Sequence, residues 1–200
     1  MTKAKRLAAV AAIGGVCALS SNAQAAPMTH DGFQLDIQAG LGYLSSTAEY
    51  AGVEGQSASG MTMSGALLMG GTVGPVVIGG GIIVDNAFSA KVKQNGNDIT
   101  PDGYGLLLLG FGAYADIFLD PKEGLHFPVF LGWGGLETTN NVGGSDPTGL
   151  VLSLGGGYNF WVSDEWSIGP LGRLTYAPLS QGDVSFGTWQ FAALADIQFH

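Results

Sequence analysis

Phe33-Gln34-Leu35-Asp36-Ile37-Gln38-Ala39-Gly40-Leu41-Gly42-Tyr43 alternates without a break, apolar at each odd position and polar or glycine at each even one. Successive side chains of a strand point to opposite faces, so this stretch presents one apolar face and one polar or tiny face. The end of the chain repeats the pattern. Trp189, Phe191, Ala193, Ala195, Ile197 and Phe199 share one face, and Thr188, Gln190, Asp196 and Gln198 share the other. As first and last strands the two segments are able to pair and close a sheet on itself.

Nothing between them shows sustained helical periodicity, and glycine, 34 of 200 residues, recurs too often for a long helix. Six further strands are predicted, near Met61 to Gly70, Val76 to Asn86, Tyr104 to Phe118, Leu125 to Leu136, Gly149 to Val162 and Trp166 to Ala177. Their connections alternate in kind. Gly71 to Pro75, Leu119 to Gly124 and Ser163 to Glu165 read as tight turns, whereas Ser45 to Gly60, Ala87 to Gly103, Glu137 to Thr148 and Leu179 to Val184 read as longer polar loops. The fold class expected is therefore all-β: an eight-stranded antiparallel transmembrane β-barrel with short periplasmic turns and longer extracellular loops.

The same strand count would suit a soluble ligand-carrying barrel, and charge location decides between the two. Charged residues make up only 12% of the chain, where a soluble domain carries roughly a quarter, and nearly all of them fall in loops or turns. The exceptions, Asp36, Asp85, Asp116, Arg173 and Asp196, mostly share a face with polar or small residues such as Gln34, Gln38, Ser167, Thr175, Gln190 and Gln198. Those faces point into the barrel and the apolar ones point to lipid, where a closed sheet satisfies its own backbone hydrogen bonds. Eight strands leave an interior that side chains fill, with Gly40, Gly42, Gly132, Gly134, Gly155 and Gly157 making room for Phe130, Tyr114 and Trp161. Aromatics near strand ends, among them Tyr43, Phe127, Trp133, Tyr158, Phe160, Trp166, Tyr176 and Trp189, suit two interfacial girdles.

Residues 1–25 read as a secretory signal peptide: Lys3, Lys5 and Arg6, an apolar run from Leu7 to Leu19, then Ala23-Gln24-Ala25. Cleavage is expected after Ala25, leaving 26–200 as the barrel. The lone Cys17 lies in the leader behind Val16, which disfavours lipidation and leaves a mature chain without thiols. Three of the seven basic residues belong to the leader, so four remain against sixteen acids, a balance of −12 that argues against nucleic acid. No peptidoglycan-binding segment is expected beyond the eighth strand.

The whole mature chain, 26–200, resembles the small eight-stranded outer-membrane β-barrel superfamily, the OmpA and OmpX type. It is similar in particular to members whose central hairpin carries an Asp-Pro-x-x-Gly turn, here Asp120-Pro121-Lys122-Glu123-Gly124 before Leu125-His126-Phe127. The last strand resembles the signal read by the barrel-insertion machinery, although His200 follows Phe199 where an aromatic is usual. The resemblance implies an outer-membrane setting among lipids and lipopolysaccharide, and says little of role.

Chemistry is sparse. Gly79-Gly80-Gly81 and Gly155-Gly156-Gly157 lack the Lys-Ser or Lys-Thr pair of a phosphate loop. His126 and Ser153 fall at different depths and no third residue orients them, so no catalytic residue is expected, and neither is a cofactor or metal site. Glu49, Glu54, Asp98, Asp102, Glu137, Asp146 and Asp183 are spaced singly and match no calcium loop; they read as solvated loop charge, with divalent bridging to lipopolysaccharide as the alternative. The one cluster expected is an interior polar network in which Arg173 pairs with one or more of Asp36, Asp116 and Asp196 and holds the barrel together. A structural or surface-interaction role is expected first, a narrow pore for small solutes second and a lipid-modifying barrel enzyme third; the extracellular partner is not legible.

Overall fold

A computed structural model of the chain describes residues 28–30, 32–50, 53–120, 122–139 and 146–200, with side chains at 53 and 54 outside that set. Residues 1–27, which hold the expected leader, its expected cleavage site and Cys17, lie outside what is described, as does the Glu54 side chain. The strands are β1 Phe33–Tyr50, β2 Val53–Val73, β3 Val76–Ala87, β4 Lys91–Gln94, β5 Asn97–Asp98, β6 Leu106–Phe118, β7 Leu125–Thr138, β8 Thr148–Tyr158, β9 Phe160–Trp161, β10 Trp166–Gln181 and β11 Val184–Phe199. Eight of them form the wall, in the order β1, β2, β3, β6, β7, β8, β10, β11, each antiparallel to its neighbours. The wall closes where Leu35 pairs with Phe199 and Tyr50 with Val184. Closure removes both sheet edges, which a lipid-embedded sheet requires.

Two of the expected long loops are strand. β1 runs on to Tyr50 and β2 resumes at Val53, so Ser45 to Gly60 is mostly a paired hairpin. β10 and β11 likewise extend to Gln181 and Val184, joined through Gly182 at φ 59°. The apolar alternation fades there because strand lying above the bilayer has no lipid to face, while its hydrogen-bonded ladder continues. Within Ala87 to Gly103 a small hairpin, β4 and β5, turns through Asn95 (φ 51°) and Gly96 (φ 81°), the left-handed pair that an Asn-Gly two-residue turn demands. β4 adds to the outer end of β2, pairing Ser59 with Lys91 through to Gln56 with Gln94.

The alternation resolves as expected. Leu41, Tyr43, Met61, Phe111, Leu131, Trp133, Leu154 and Phe191 stand exposed on the outside, while Gln34, Asp36, Gln38, Asp85, Asp116, Arg173, Gln190, Asp196 and Gln198 are buried within. Phe130 and Tyr114 fill the interior beside the inward glycines. Trp161 instead sits at the barrel's end, its ring 4.7 Å from that of His30. The outward aromatics form two bands: Trp189 pairs with Tyr176 near one rim, and Phe199 pairs with Trp166 near the other. Ten residues of tilted strand separate these bands, roughly 25 Å of height, which matches the apolar belt of such barrels.

Three prolines face one stave. Pro128 pairs with Asp116 of β6, and Pro170 and Pro178 pair with Ala195 and Gly187 of β11, yet none of the three is paired across to β8. A proline has no N–H to give a ladder, and here each missing donor falls on the β8 side.

Candidate functional site: a buried polar column

The inward polar residues gather on β1, β2, β3, β6, β7, β10 and β11 because period-two alternation aims every second side chain at the axis. Midway along it, Arg173 of β10 donates through Nη2 to Asp85 Oδ1 of β3 at 2.8 Å. Its Nη1 donates to Gln38 Oε1 at 3.2 Å and to the Gly65 carbonyl at 3.3 Å. Arg173 is 3% exposed and Asp85 fully buried, so neither charge is stable alone. The guanidinium therefore spans the barrel between opposite walls.

Arg173 pairs with none of the three acids expected from the sequence. Its partner Asp85 shares their inward orientation, and depth along the barrel makes the choice. Gln38 links the two levels by donating through Nε2 to Asp36 Oδ2 at 3.0 Å. Asp116 and Asp196 instead flank His126, with Asp36 on the neighbouring β1. His126 Nδ1 donates to Asp116 Oδ2 at 2.8 Å, and its Nε2 lies 3.5 Å from Asp196 Oδ2, an ion-pair distance without a hydrogen bond. Asn159 Nδ2 donates to Asp196 Oδ2 at 2.6 Å and Gln198 Nε2 to Asp116 Oδ2 at 3.2 Å. In the β1–β11 register Asp36 pairs with Gln198 and Gln38 with Asp196, which sets Asp36 diagonally beside Asp196.

A third level closes the periplasmic mouth. His30, just before β1, stacks on Phe118 with ring centroids 3.8 Å apart, and its Nδ1 lies 3.1 Å from Nε2 of His200. His200 Nε2 also meets Ser167 Oγ at 3.2 Å, and the His200 backbone N–H donates to the Glu165 carbonyl. Burial, together with the nearby His200 and His126, pushes the His30 imidazole down to about 3, so it is neutral at physiological pH. The Asp120 turn supports this end: Lys122 N–H donates to Asp120 Oδ1 at 2.9 Å, and the Gly124 carbonyl accepts from Asn159 N–H. A side chain at Gly124 would meet the Asn159 carbonyl.

His126 and Asn159 were not legible as partners of the acids, nor His30 and His200 as partners of each other. Gln34, Gln38 and Gln198 carried a signal, since they alternate in step with Asp36 and Asp196. His30 and His200 lie 170 residues apart, and no spacing rule joins them. Ser153 bonds to Thr175 and pairs in register with Phe130, whereas His126 pairs with Gly157, so Ser153 and His126 are at different heights. Among the described residues no group of acidic, histidine or cysteine side chains has the geometry to hold a metal ion.

Closed wall, outward apolar belt and inward ion pairs together define a transmembrane β-barrel of the small eight-stranded class. Among solved structures, the chain is similar to neisserial surface protein A at 14% identity, covering 84% of this chain and 96% of that one with a TM-score of 0.54. It is also similar to the outer membrane protein OprG from Pseudomonas aeruginosa at 12% identity, covering 87% of this chain and 99% of that one with a TM-score of 0.51. At these identities the likeness is one of fold. No family model matches the chain, and no curated protein matches it in sequence.

Proposed function

We propose that the chain, exported by its leader and trimmed after Ala25, serves as a closed, non-enzymatic barrel that anchors its extracellular strands and loops for a structural or surface-interaction role. The observation that carries this reading is the filled mid-section. Beside Arg173, between Gln38, Tyr114, Phe130 and Ser153, the free volume is ≈ 10 Å³, at the lower limit of what admits one water. Arg173 and Asp85 bridge the lumen at that level, and Leu44 and Leu108, fully buried, fill it further out. A solute path would have to break the ion pair and displace these side chains. The polar column acts as internal glue: Asp116 and Asp196 on His126, Asp36 with Gln38, and Arg173 with Asp85.

Lipid and lipopolysaccharide surround the belt, and the barrel-insertion machinery reads β11. His200 turns inward at 5% exposure, so Phe199 is the last lipid-facing residue and the outward alternation still ends on an aromatic. The test is conductance in a planar bilayer. Purified protein is expected to give no discrete steps; reproducible unit steps abolished by blocking the lumen would replace this reading with the narrow pore.

A further inference from the structure

Outside the membrane the interior changes character. Leu106, Leu136 and Phe186, with Ser46, Gln56 and Thr138 among them, line a cup of ≈ 160 Å³ that opens toward the extracellular rim. The cup is walled by β1, β2, β4, β6, β7, β10 and β11, the strands that run on beyond the bilayer. Among the described side chains, no Asp, Glu, Lys or Arg lines it. Lys91 and Lys93 flank the inward Val92 and Glu137 lies between Leu136 and Thr138, so alternation sends these charges to the other face, where they are exposed. Its floor is solid: Leu44, Leu108 and Leu179, each two residues deeper than a lining position, are 0 to 3% exposed.

We propose that this cup is a binding site for one small neutral molecule with an apolar body and one hydrogen-bonding group, taken from the outside and held there. The volume is close to the roughly 150 Å³ known to hold a benzene ring in a protein interior. An uncharged lining desolvates an ion without repaying it, so an anion or cation of the same shape binds worse. The apolar lining is poorly satisfied by water, whereas Gln56 and Thr138, set among those apolar side chains, offer both donors and acceptors. The floor separates binding from passage, so the site is compatible with a barrel that conducts nothing.

Fluorobenzyl alcohol, followed by fluorine NMR against the protein in lipid nanodiscs, is a suitable probe, with fluorobenzoate as its charged counterpart. Saturable binding is expected for the alcohol, and binding weaker by about tenfold or more for the anion. Ala58→Trp fills the cup from β2 and is expected to weaken alcohol binding by at least about tenfold; Ser59→Trp, on the opposite face of the same strand, leaves it unchanged. If Ala58→Trp fails to fold, judged by the heat-dependent shift on a gel, Ala58→Leu takes its place with a smaller loss in the same direction. Linear, non-saturating partition that ignores both Ala58 variants would show uptake by lipid alone and overturn the site. Equal binding of alcohol and anion would overturn its neutral selectivity.

Discussion

Replacing Arg173 by Ala removes one partner of a fully desolvated ion pair. Asp85 would remain at 0% exposure with its 2.8 Å guanidinium contact gone, and Gln38 and the Gly65 carbonyl would each lose a donor. Breaking a buried pair from one side costs about 3–5 kcal/mol, against about 1 kcal/mol for an ordinary hydrogen bond. Some water enters the space vacated, so the expected loss is about 3 kcal/mol, the lower end of that range. Removing both charges with shape-filling residues, Arg173→Met with Asp85→Leu, is expected to return stability to within about 1 kcal/mol of the parent. The assay is urea unfolding of the folded barrel in lipid vesicles, read by tryptophan fluorescence. A double-mutant cycle identifies the partner: Arg173 couples to Asp85 by about 2 kcal/mol or more, and to Asp116, in the lower cluster, by less than about 0.5 kcal/mol. A loss below about 1 kcal/mol for Arg173→Ala, or equal coupling to both acids, would refute the assignment.

Further outcomes follow from the mouth, the seam and the rim. His30 is held at about 3, below its unfolded value near 6.5. Its contribution is therefore complete above pH 6.5 and drains away as the pH falls toward 3, because the unfolded chain binds the proton first. His30→Phe should flatten the acid limb of the stability curve; an unchanged limb would remove His30 as its cause. Amide exchange in nanodiscs should be fastest, among the wall strands, in β8, which faces Pro128, Pro170 and Pro178; β8 protection equal to that of β1 would contradict the seam. Gly96→Val should unravel the small β4–β5 hairpin, seen as local exchange, without lowering the heat resistance of the barrel. Phe199→Ala should slow assembly by the insertion machinery while leaving the folded barrel's stability nearly unchanged, and an unaltered rate would remove that residue from the signal.

The wall of the barrel was legible because lipid on one side and a filled lumen on the other impose a strict period of two. Phe33 to Tyr43 and Trp189 to Phe199 carry both requirements at once, and their pairing closes the barrel. Ser45 to Tyr50 and Val53 to Gly60 lack a strand signature because strand above the membrane loses the lipid requirement, and Ser, Ala and Gly on both faces erase the pattern. Asn95-Gly96 is a local hairpin signal, but the polar residues on either side of it carry no alternation to mark the strands it joins. Inward orientation of Asp36, Asp85, Asp116, Arg173 and Asp196 followed from alternation, since parity is a local property. Partner choice did not. It depends on depth, which strand tilt and stagger set through the closed register, and Arg173 therefore meets Asp85 of β3 across the lumen. The contact between His30 and His200 lies further still from sequence reasoning, because it arises only when the chain's two ends meet at one rim.

The most direct check is migration of the membrane-fraction protein on a denaturing gel, boiled against unboiled. A closed, lipid-facing barrel held by its own ladder and inner ion pairs stays compact in detergent until heated, so the unboiled sample should run faster than the boiled one. A single band unaffected by boiling, recovered from the aqueous fraction without detergent, would contradict the inside-out barrel and return the chain to the soluble ligand carriers.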